Sequence, residues 1–152
     1  MQFFEQLLQN RVLICAAISW TAAQLIKTAI YAALYKHMDF KRLFGSGGMP
    51  SSHTAFVTSA CVMTGLIEGF NTSVFAVSFC IAAVVIYDAM GVRRETGRQG
   101  EAINRILTEF VMNGKPLTEE NMKTLVGHSP IEVLGGLIVS AVVVLIMMLI
   151  GG

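Results

Sequence analysis

Four long apolar segments limit what this chain can fold into more than any other feature. They are Val12–Leu34, Thr54–Phe70, Ser73–Met90 and Ile131–Ile150. A transmembrane helix needs about 20 predominantly apolar residues, with a range of about 17 to 25. Each segment therefore predicts a helix that spans a bilayer, and the second and third are near the lower limit of length.

The amino-acid composition also indicates a membrane protein. Of its 152 residues, 54% are hydrophobic and only 14% are charged, whereas soluble domains average about 25% charged. We expect an all-α fold, an integral membrane helical bundle of about four transmembrane helices, in a single domain covering residues 1–152. The net charge of +1 argues against nucleic acid as a partner.

The polar stretch between the third and fourth spans contains an amphipathic pattern. Its apolar residues recur at helical spacing at Ile103, Ile106, Leu107, Phe110 and Val111. This spacing is typical of a helix with one apolar face. We therefore expect an interfacial helix between the third and fourth spans.

The basic residues predict an orientation in the membrane. Of the 11 Lys and Arg residues, all except Arg11 and Lys27 lie in the loops before the second and fourth spans. Four spans place these two loops on one side, which the positive-inside rule makes cytoplasmic. We expect a bacterial inner membrane protein with both termini on the other side. A phosphate site would collect the same charges, so function and topology are competing explanations for them.

A run of small residues leads directly into the second span. It reads Gly45-Ser46-Gly47-Gly48-Met49-Pro50-Ser51-Ser52-His53. A helix N-terminus presents free backbone N–H groups and a positive dipole end, and glycine lets an oxyanion approach closely. We expect Gly48, Ser51 and Ser52 to contact phosphate. The alternative is a flexible loop with an ordinary serine cap.

A second histidine precedes the fourth span in the segment His128-Ser129-Pro130-Ile131-Glu132. Ser129 and Glu132 have the spacing of a capping box, which would serve only to close the helix end. In a catalytic interpretation, Glu132 accepts the Nδ1 proton of His128, and Nε2 can attack phosphorus. A carboxylate has two oxygens, so both interpretations can hold together.

The topology places His53 and His128 on the same side of the membrane. One imidazole can then attack a phosphoryl group while the other protonates the leaving oxygen. Basic side chains on that side would hold the phosphoryl oxygens. The candidates are Lys41, Arg42, Arg93 and Arg94. Such cations also commonly anchor loops at a membrane surface.

Three polar residues lie within the predicted spans. Gln24 and Lys27 are one turn apart on the first span, and Asp88 is near the end of the third. A Lys or Asp in a span costs about 2.5 to 3.5 kcal/mol, so it usually has a function. We expect Lys27 to lie inside the bundle as a phosphate contact or a partner of Asp88, with Gln24 beside it. Lys27 could instead extend to the surface, and Asp88 could pair with Arg93 or Arg94.

Two segments, Met49–Ala55 and Gly127–Val133, resemble the second and third motifs of the type 2 phosphatidic acid phosphatase and vanadium haloperoxidase superfamily. A narrower resemblance, covering nearly the whole chain, is to the divergent, YuiD-like branch of short bacterial and plastid membrane proteins. It rests on Ala23-Gln24, Lys27, Tyr87–Arg94, Gln99 and Asn104.

The resemblance implies a role for each motif residue. His128 would form a phosphohistidine, Glu132 would orient it, and His53 would be the general acid for the leaving group. Ser52 and nearby backbone groups would contact phosphate. The chain departs from the superfamily pattern in four ways: Ser52 replaces glycine, Glu132 replaces aspartate, Met122 replaces an arginine, and the first motif is not recognisable. The substitutes for the missing basic residues are Lys27, Lys41, Arg42, Arg93 and Arg94.

These observations predict a metal-independent membrane phosphatase without a cofactor. Its substrate would be a lipid phosphate or pyrophosphate whose tail stays among the membrane lipids. The first alternative is an anion or lipid-headgroup transporter or binding protein that has lost phosphatase activity. The second is a metal hydrolase that uses His53 and His128 with Asp88 or Glu132. The sequence is compatible with a homo-oligomer.

Overall fold

The computed structural model describes residues 2–36, 48–91, 99–100, 103 and 129–151. Its helices are α1 (Gln2–Gln9), α2 (Arg11–Tyr35), α3 (Ser52–Glu68), α4 (Ser73–Met90) and α5 (Pro130–Gly151), of which α1 is short. No β-strand occurs among these residues. The all-α prediction is therefore confirmed.

Three of the described helices, α2, α4 and α5, are long and apolar enough to cross a membrane. The fourth predicted span corresponds to α3, whose 17 residues are at the lower limit for crossing a bilayer. The chain is thus a helical membrane protein with about four spans. Of the residues that predict the interfacial helix, Ile103 is helical and the others lie outside the described residues. Gln99 and Gly100, shortly before them in the chain, are also helical.

The shortest span, α3, packs against α2, α4 and α5. Its buried side chains are mostly small or hydroxyl-bearing, and two of the hydroxyls bond to carbonyls of the helix itself. Ser59 donates to the carbonyl oxygen of Phe56 at 3.0 Å, and Thr64 donates to that of Ala60 at 2.8 Å. Small residues let membrane helices approach closely. This explains how a helix of modest hydrophobicity takes the central position.

The second and third spans form a hairpin, and their connection is longer than the bounds of the two apolar segments indicate. Those bounds leave only Asn71 and Thr72 between the spans, but α3 ends at Glu68, so residues 69–72 form the connection. Thr72 caps α4 by accepting a hydrogen bond from the backbone N–H of Phe75 at 3.3 Å. α3 ends at Glu68, before the apolar pattern ends at Phe70, because residues 69–72 form a turn and Thr72 caps the next helix.

Two long-range hydrogen bonds fix how α5 runs relative to the other helices. The Ser51 backbone N–H, just before α3, donates to the carbonyl oxygen of Glu132 at 2.9 Å. At the opposite end of α5, the Arg11 guanidinium donates to the carbonyl oxygen of Met147 at 3.4 Å. The starts of α3 and α5 therefore lie at one end of the bundle, as an even number of spans requires.

One helix was not anticipated from the sequence. The short α1 precedes α2, and Phe3, Phe4 and Leu8 on it are largely exposed. Asn10 separates the two helices, and its side-chain oxygen accepts from the backbone N–H groups of Val12 and Leu13, both at 3.1 Å. This cap starts α2 at Arg11, at the edge of the apolar run.

Candidate active site

The first turn of α3 is the centre of the candidate site. Ser51 is its N-cap, and its hydroxyl oxygen accepts from the Thr54 backbone N–H at 3.3 Å and from the Thr54 hydroxyl at 3.0 Å. Ser51, Ser52 and Thr54 are all fully buried. The Ser51 hydroxyl therefore caps the helix, as the alternative of an ordinary serine cap predicted. The first turn of α3 still presents the positive end of the helix dipole.

The Lys27 side chain enters this first turn from α2. Lys27 is only 3% exposed, and its Nζ donates to the Ser52 hydroxyl at 3.5 Å. Its aliphatic stem lies against Gly48, where a Cβ would be 3.6 Å from the Lys27 Cγ. Gly48 has a φ of +85°, a conformation that glycine adopts at low cost. Lys27 thus lies inside the bundle and does not extend to the membrane surface.

Gln24 lies one turn before Lys27 on α2 and is 3% exposed. Within the described part of the chain, its Oε1 atom is buried and has no hydrogen-bond donor. An unsatisfied buried acceptor costs about 1 to 3 kcal/mol. A buried acceptor without a protein donor typically has a water or a ligand as its partner.

The start of α5 forms the other half of the site. The backbone N–H of Ser129 donates to Glu132 Oε2 at 3.0 Å, and the Ser129 hydroxyl accepts from the Glu132 backbone N–H at 3.3 Å. This reciprocal pair is the capping box that the sequence predicted. The capping box uses the Oε2 atom of Glu132, and the Oε1 atom of a carboxylate can accept further hydrogen bonds. The backbone bond from Ser51 then attaches this turn to the start of α3.

Gly136 permits the close approach of α5 to the start of α3. A Cβ at this position would lie 2.5 Å from the carbonyl oxygen of Ser51 and 2.8 Å from the Cβ of Thr54. Neither contact is sterically possible, so only glycine fits here. Sequence reasoning missed this residue. The available signal was the pair Gly135-Gly136 one turn after Glu132, inside an otherwise apolar helix.

The remaining predicted residues are placed as follows. His53 is the second residue of α3 and is half-buried, and Asp88 is half-buried in the last turn of α4. Among the described residues, no group of three His, Cys, Asp or Glu side chains could hold a metal ion. Five predicted site residues lie outside the described residues, namely Lys41, Arg42, Arg93, Arg94 and His128.

The structure therefore brings Lys27, Gly48 and Ser52 together, and it joins Ser51 to Glu132. A cationic amine, a hydroxyl and a helix N-terminus converge in a buried position. Such an arrangement can hold an anionic oxygen.

Comparison with known proteins agrees with this geometry. The family model described as the Divergent PAP2 family matches residues 8–143. The chain belongs to the Divergent PAP2 family. The match covers α2, α3 and α4 completely and α5 as far as Val143, and it includes the segments that build the site. Membership of the Divergent PAP2 family indicates a phosphatase-like or related membrane function.

One curated relative is the uncharacterized membrane protein YuiD of Bacillus subtilis (strain 168). It is 36% identical over 141 residues, which cover 86% of this chain and 89% of that protein. This relative is described as a membrane protein, in agreement with the apolar helices. No solved structure matches the chain.

Proposed function

We propose that this protein is a metal-independent membrane phosphatase that hydrolyses a lipid phosphate or pyrophosphate. The observation that carries the proposal is the meeting of Lys27 and the first turn of α3 at Ser52. A phosphoryl group carries negative charge on its equatorial oxygens, and a buried amine with a helix N-terminus stabilises that charge. Lys27 thereby takes the role of a basic residue that the superfamily pattern places elsewhere.

In the proposed reaction, Nε2 of His128 attacks phosphorus and the bond from phosphorus to the leaving oxygen breaks. His53 gives its proton to that oxygen, so an alcohol or a lipid monophosphate departs. Water then attacks the phosphohistidine, His53 takes the proton of the water, and inorganic phosphate leaves. No metal is needed, because histidine side chains supply the nucleophile and the acid.

Glu132 has two roles in this proposal. Its carboxylate closes the first turn of α5 through Ser129. It also accepts the Nδ1 proton of His128, which selects the imidazole tautomer with a nucleophilic Nε2. The bond between Ser51 and Glu132 supports this assignment, since it holds the chain leading to His128 near the helix that carries His53.

The buried oxygen of Gln24 favours a second candidate, a binding protein or transporter for a lipid headgroup or anion. Gln24 and Lys27 lie one turn apart inside the bundle and are both almost fully buried. An amide acceptor beside a cation can bind a singly protonated phosphate without hydrolysing it.

A panel assay separates these functions. Purified protein in detergent is incubated with a long-chain phosphatidic acid and a prenyl diphosphate, with and without excess chelator, and released phosphate is measured. Release that persists in chelator is the expected result. Release abolished by chelator supports the metal hydrolase. Binding of either lipid without any release supports the binding protein or transporter.

A further inference from the structure

An apolar groove lies between α2 and α5, directly beside the candidate site. Its volume is about 310 Å³, and residues of α2, α5 and the segment before α3 line it. The lining includes Ile26, Ile30, Pro50, Leu134 and Ile138, and every other lining residue is also apolar or glycine. Ile26 is 42% exposed and Ile138 is 56% exposed, so the groove opens to the surroundings of the bundle.

We propose that this groove, which we call the α2/α5 groove, holds the hydrocarbon chain of the lipid phosphate during turnover. The inference rests on the proposed function. It adds where the chain of the substrate lies and which residues select it.

The α2/α5 groove and the candidate site are continuous along the chain. Each segment that supplies a residue to the candidate site also supplies the preceding residue to the groove. The pairs are Ile26 with Lys27, Pro50 with Ser51, and Ile131 with Glu132. The groove therefore begins at the same turns that supply Lys27, Ser51 and Glu132, and it offers an apolar surface close to a phosphate held at Lys27 and Ser52.

The dimensions of the groove are compatible with a hydrocarbon chain. From Ile131 to Ile138 the groove follows α5 for about 10 Å, at 1.5 Å per residue, within one leaflet of about 15 Å of hydrocarbon. The volume divided by this length gives a cross-section of about 30 Å². A groove of this length and width accommodates a single extended hydrocarbon chain.

Such a groove contributes orientation of the substrate more than affinity for it. Lipid tails are as apolar as the groove, so transfer of a chain from the bilayer gives little affinity. The groove instead fixes the direction in which the chain leaves the phosphate. Correct placement of a reacting group contributes strongly to rate. We expect the α2/α5 groove to affect kcat/KM for long-chain substrates and to have no effect on short ones.

The test fills the groove with a large side chain. Ile138→Trp is compared with Ile81→Trp on α4, a helix that contributes nothing to the groove lining. Both isoleucines are 56% exposed, so the substitutions are matched. Ile138→Trp should lower kcat/KM for a long-chain lipid phosphate about tenfold and leave a four-carbon phosphate ester unchanged. Ile81→Trp should change neither. Ile26→Trp blocks the groove from α2 and replaces Ile138→Trp if that variant fails to fold.

A second readout does not require hydrolysis. A non-hydrolysable phosphonate analogue with a photoreactive group in its chain should label the peptides that contain Ile26 and Ile138. Unlabelled phosphatidic acid should compete, and diacylglycerol of the same chain length should not. This pattern without any phosphate release would support the groove and contradict the phosphatase.

The proposal for the groove fails in two cases. In the first, hydrolysis occurs but Ile138→Trp behaves like Ile81→Trp. The proposed phosphatase function is then retained, and the role of the groove in binding the chain is rejected. In the second, diacylglycerol competes as well as phosphatidic acid, which makes the groove a general lipid contact.

Discussion

The backbone N–H of Ser51 donates a hydrogen bond of 2.9 Å to the carbonyl oxygen of Glu132. These two residues belong to the two histidine motifs, which are far apart along the chain. The bond joins the N-terminal turns of α3 and α5 and thereby limits the distance between the motifs. Since misplacement by about 1 Å can reduce an enzymatic rate about 10²-fold, the proposed chemistry depends on this contact.

Gly136→Ala should separate the two turns. The added Cβ would lie 2.5 Å from the Ser51 carbonyl oxygen, which belongs to backbone and cannot move aside. We expect a loss of about 1 to 3 kcal/mol of stability, as for overpacked cores, together with loss of phosphate release. The apparent melting temperature in detergent measures the first effect.

Gly135→Ala is the matched control for that variant. Its Cβ would lie 3.1 Å from the Cβ of Pro50, so a small adjustment accommodates it. The melting temperatures should fall in the order wild type, Gly135→Ala, Gly136→Ala. A Gly136→Ala protein as stable and active as the wild type would show that the close approach of α5 to Ser51 is not required.

Lys27→Met should weaken phosphate binding and hydrolysis. Methionine keeps most of the aliphatic stem that packs on Gly48 but removes the amine beside Ser52. Removing one group that stabilises transition-state charge typically costs about 10² to 10³ in rate, and we expect a loss in that range. Lys36→Met, at an exposed lysine beyond the end of α2, is the control and should retain activity. Equal activity of the two variants would exclude Lys27 as a phosphate contact.

The fold was largely predictable because its signals are local. Apolar length predicted the spans, and the spacing of Ser129 and Glu132 predicted a capping box that the structure contains. The end of α3 was less predictable. It falls at Glu68, two residues before the apolar run ends, because the turn at residues 69–72 competes with the helix.

The site was less predictable because it depends on tertiary contacts. Sequence spacing identified Lys27 and Ser52 separately, but only packing of α2 on α3 brings them within 3.5 Å. Gly136 carries no chemical group, and its importance comes from the Ser51 carbonyl oxygen on another helix. The proximity of His53 to His128 stays a prediction, since His128 lies outside the described residues.

Glu132→Gln separates the catalytic role of Glu132 from its capping role. The amide oxygen of glutamine can still accept from the Ser129 backbone N–H, so stability should change little. The amide cannot stabilise a positively charged imidazole, and we expect kcat to fall by at least about 10²-fold. Ser129→Ala makes the opposite change. It should cost about 0.5 to 2 kcal/mol of stability and retain the activity of the folded fraction. A Glu132→Gln enzyme with wild-type kcat would leave Glu132 with a capping role alone.

The orientation predicted from Lys and Arg can be tested by cysteine labelling in intact cells. All three native cysteines, Cys15, Cys61 and Cys80, are first replaced by serine. An impermeant reagent should then label a cysteine introduced at Gln2 and should not label one at Lys115, since the basic loops are expected in the cytoplasm. The reverse pattern would place the site on the outer face and would not affect the proposed chemistry.

Covalent trapping of phosphate on His128 tests the proposed mechanism most directly. Wild-type protein and the variants His128→Ala and His53→Ala are incubated in excess chelator with a labelled lipid phosphate, quenched rapidly and mapped by mass spectrometry. The mechanism predicts acid-labile phosphate on His128 in the wild type and none in His128→Ala, which should also release no phosphate. His53→Ala should accumulate labelled His128 with a substrate whose leaving group needs no proton. Wild-type phosphate release by His128→Ala would contradict the mechanism.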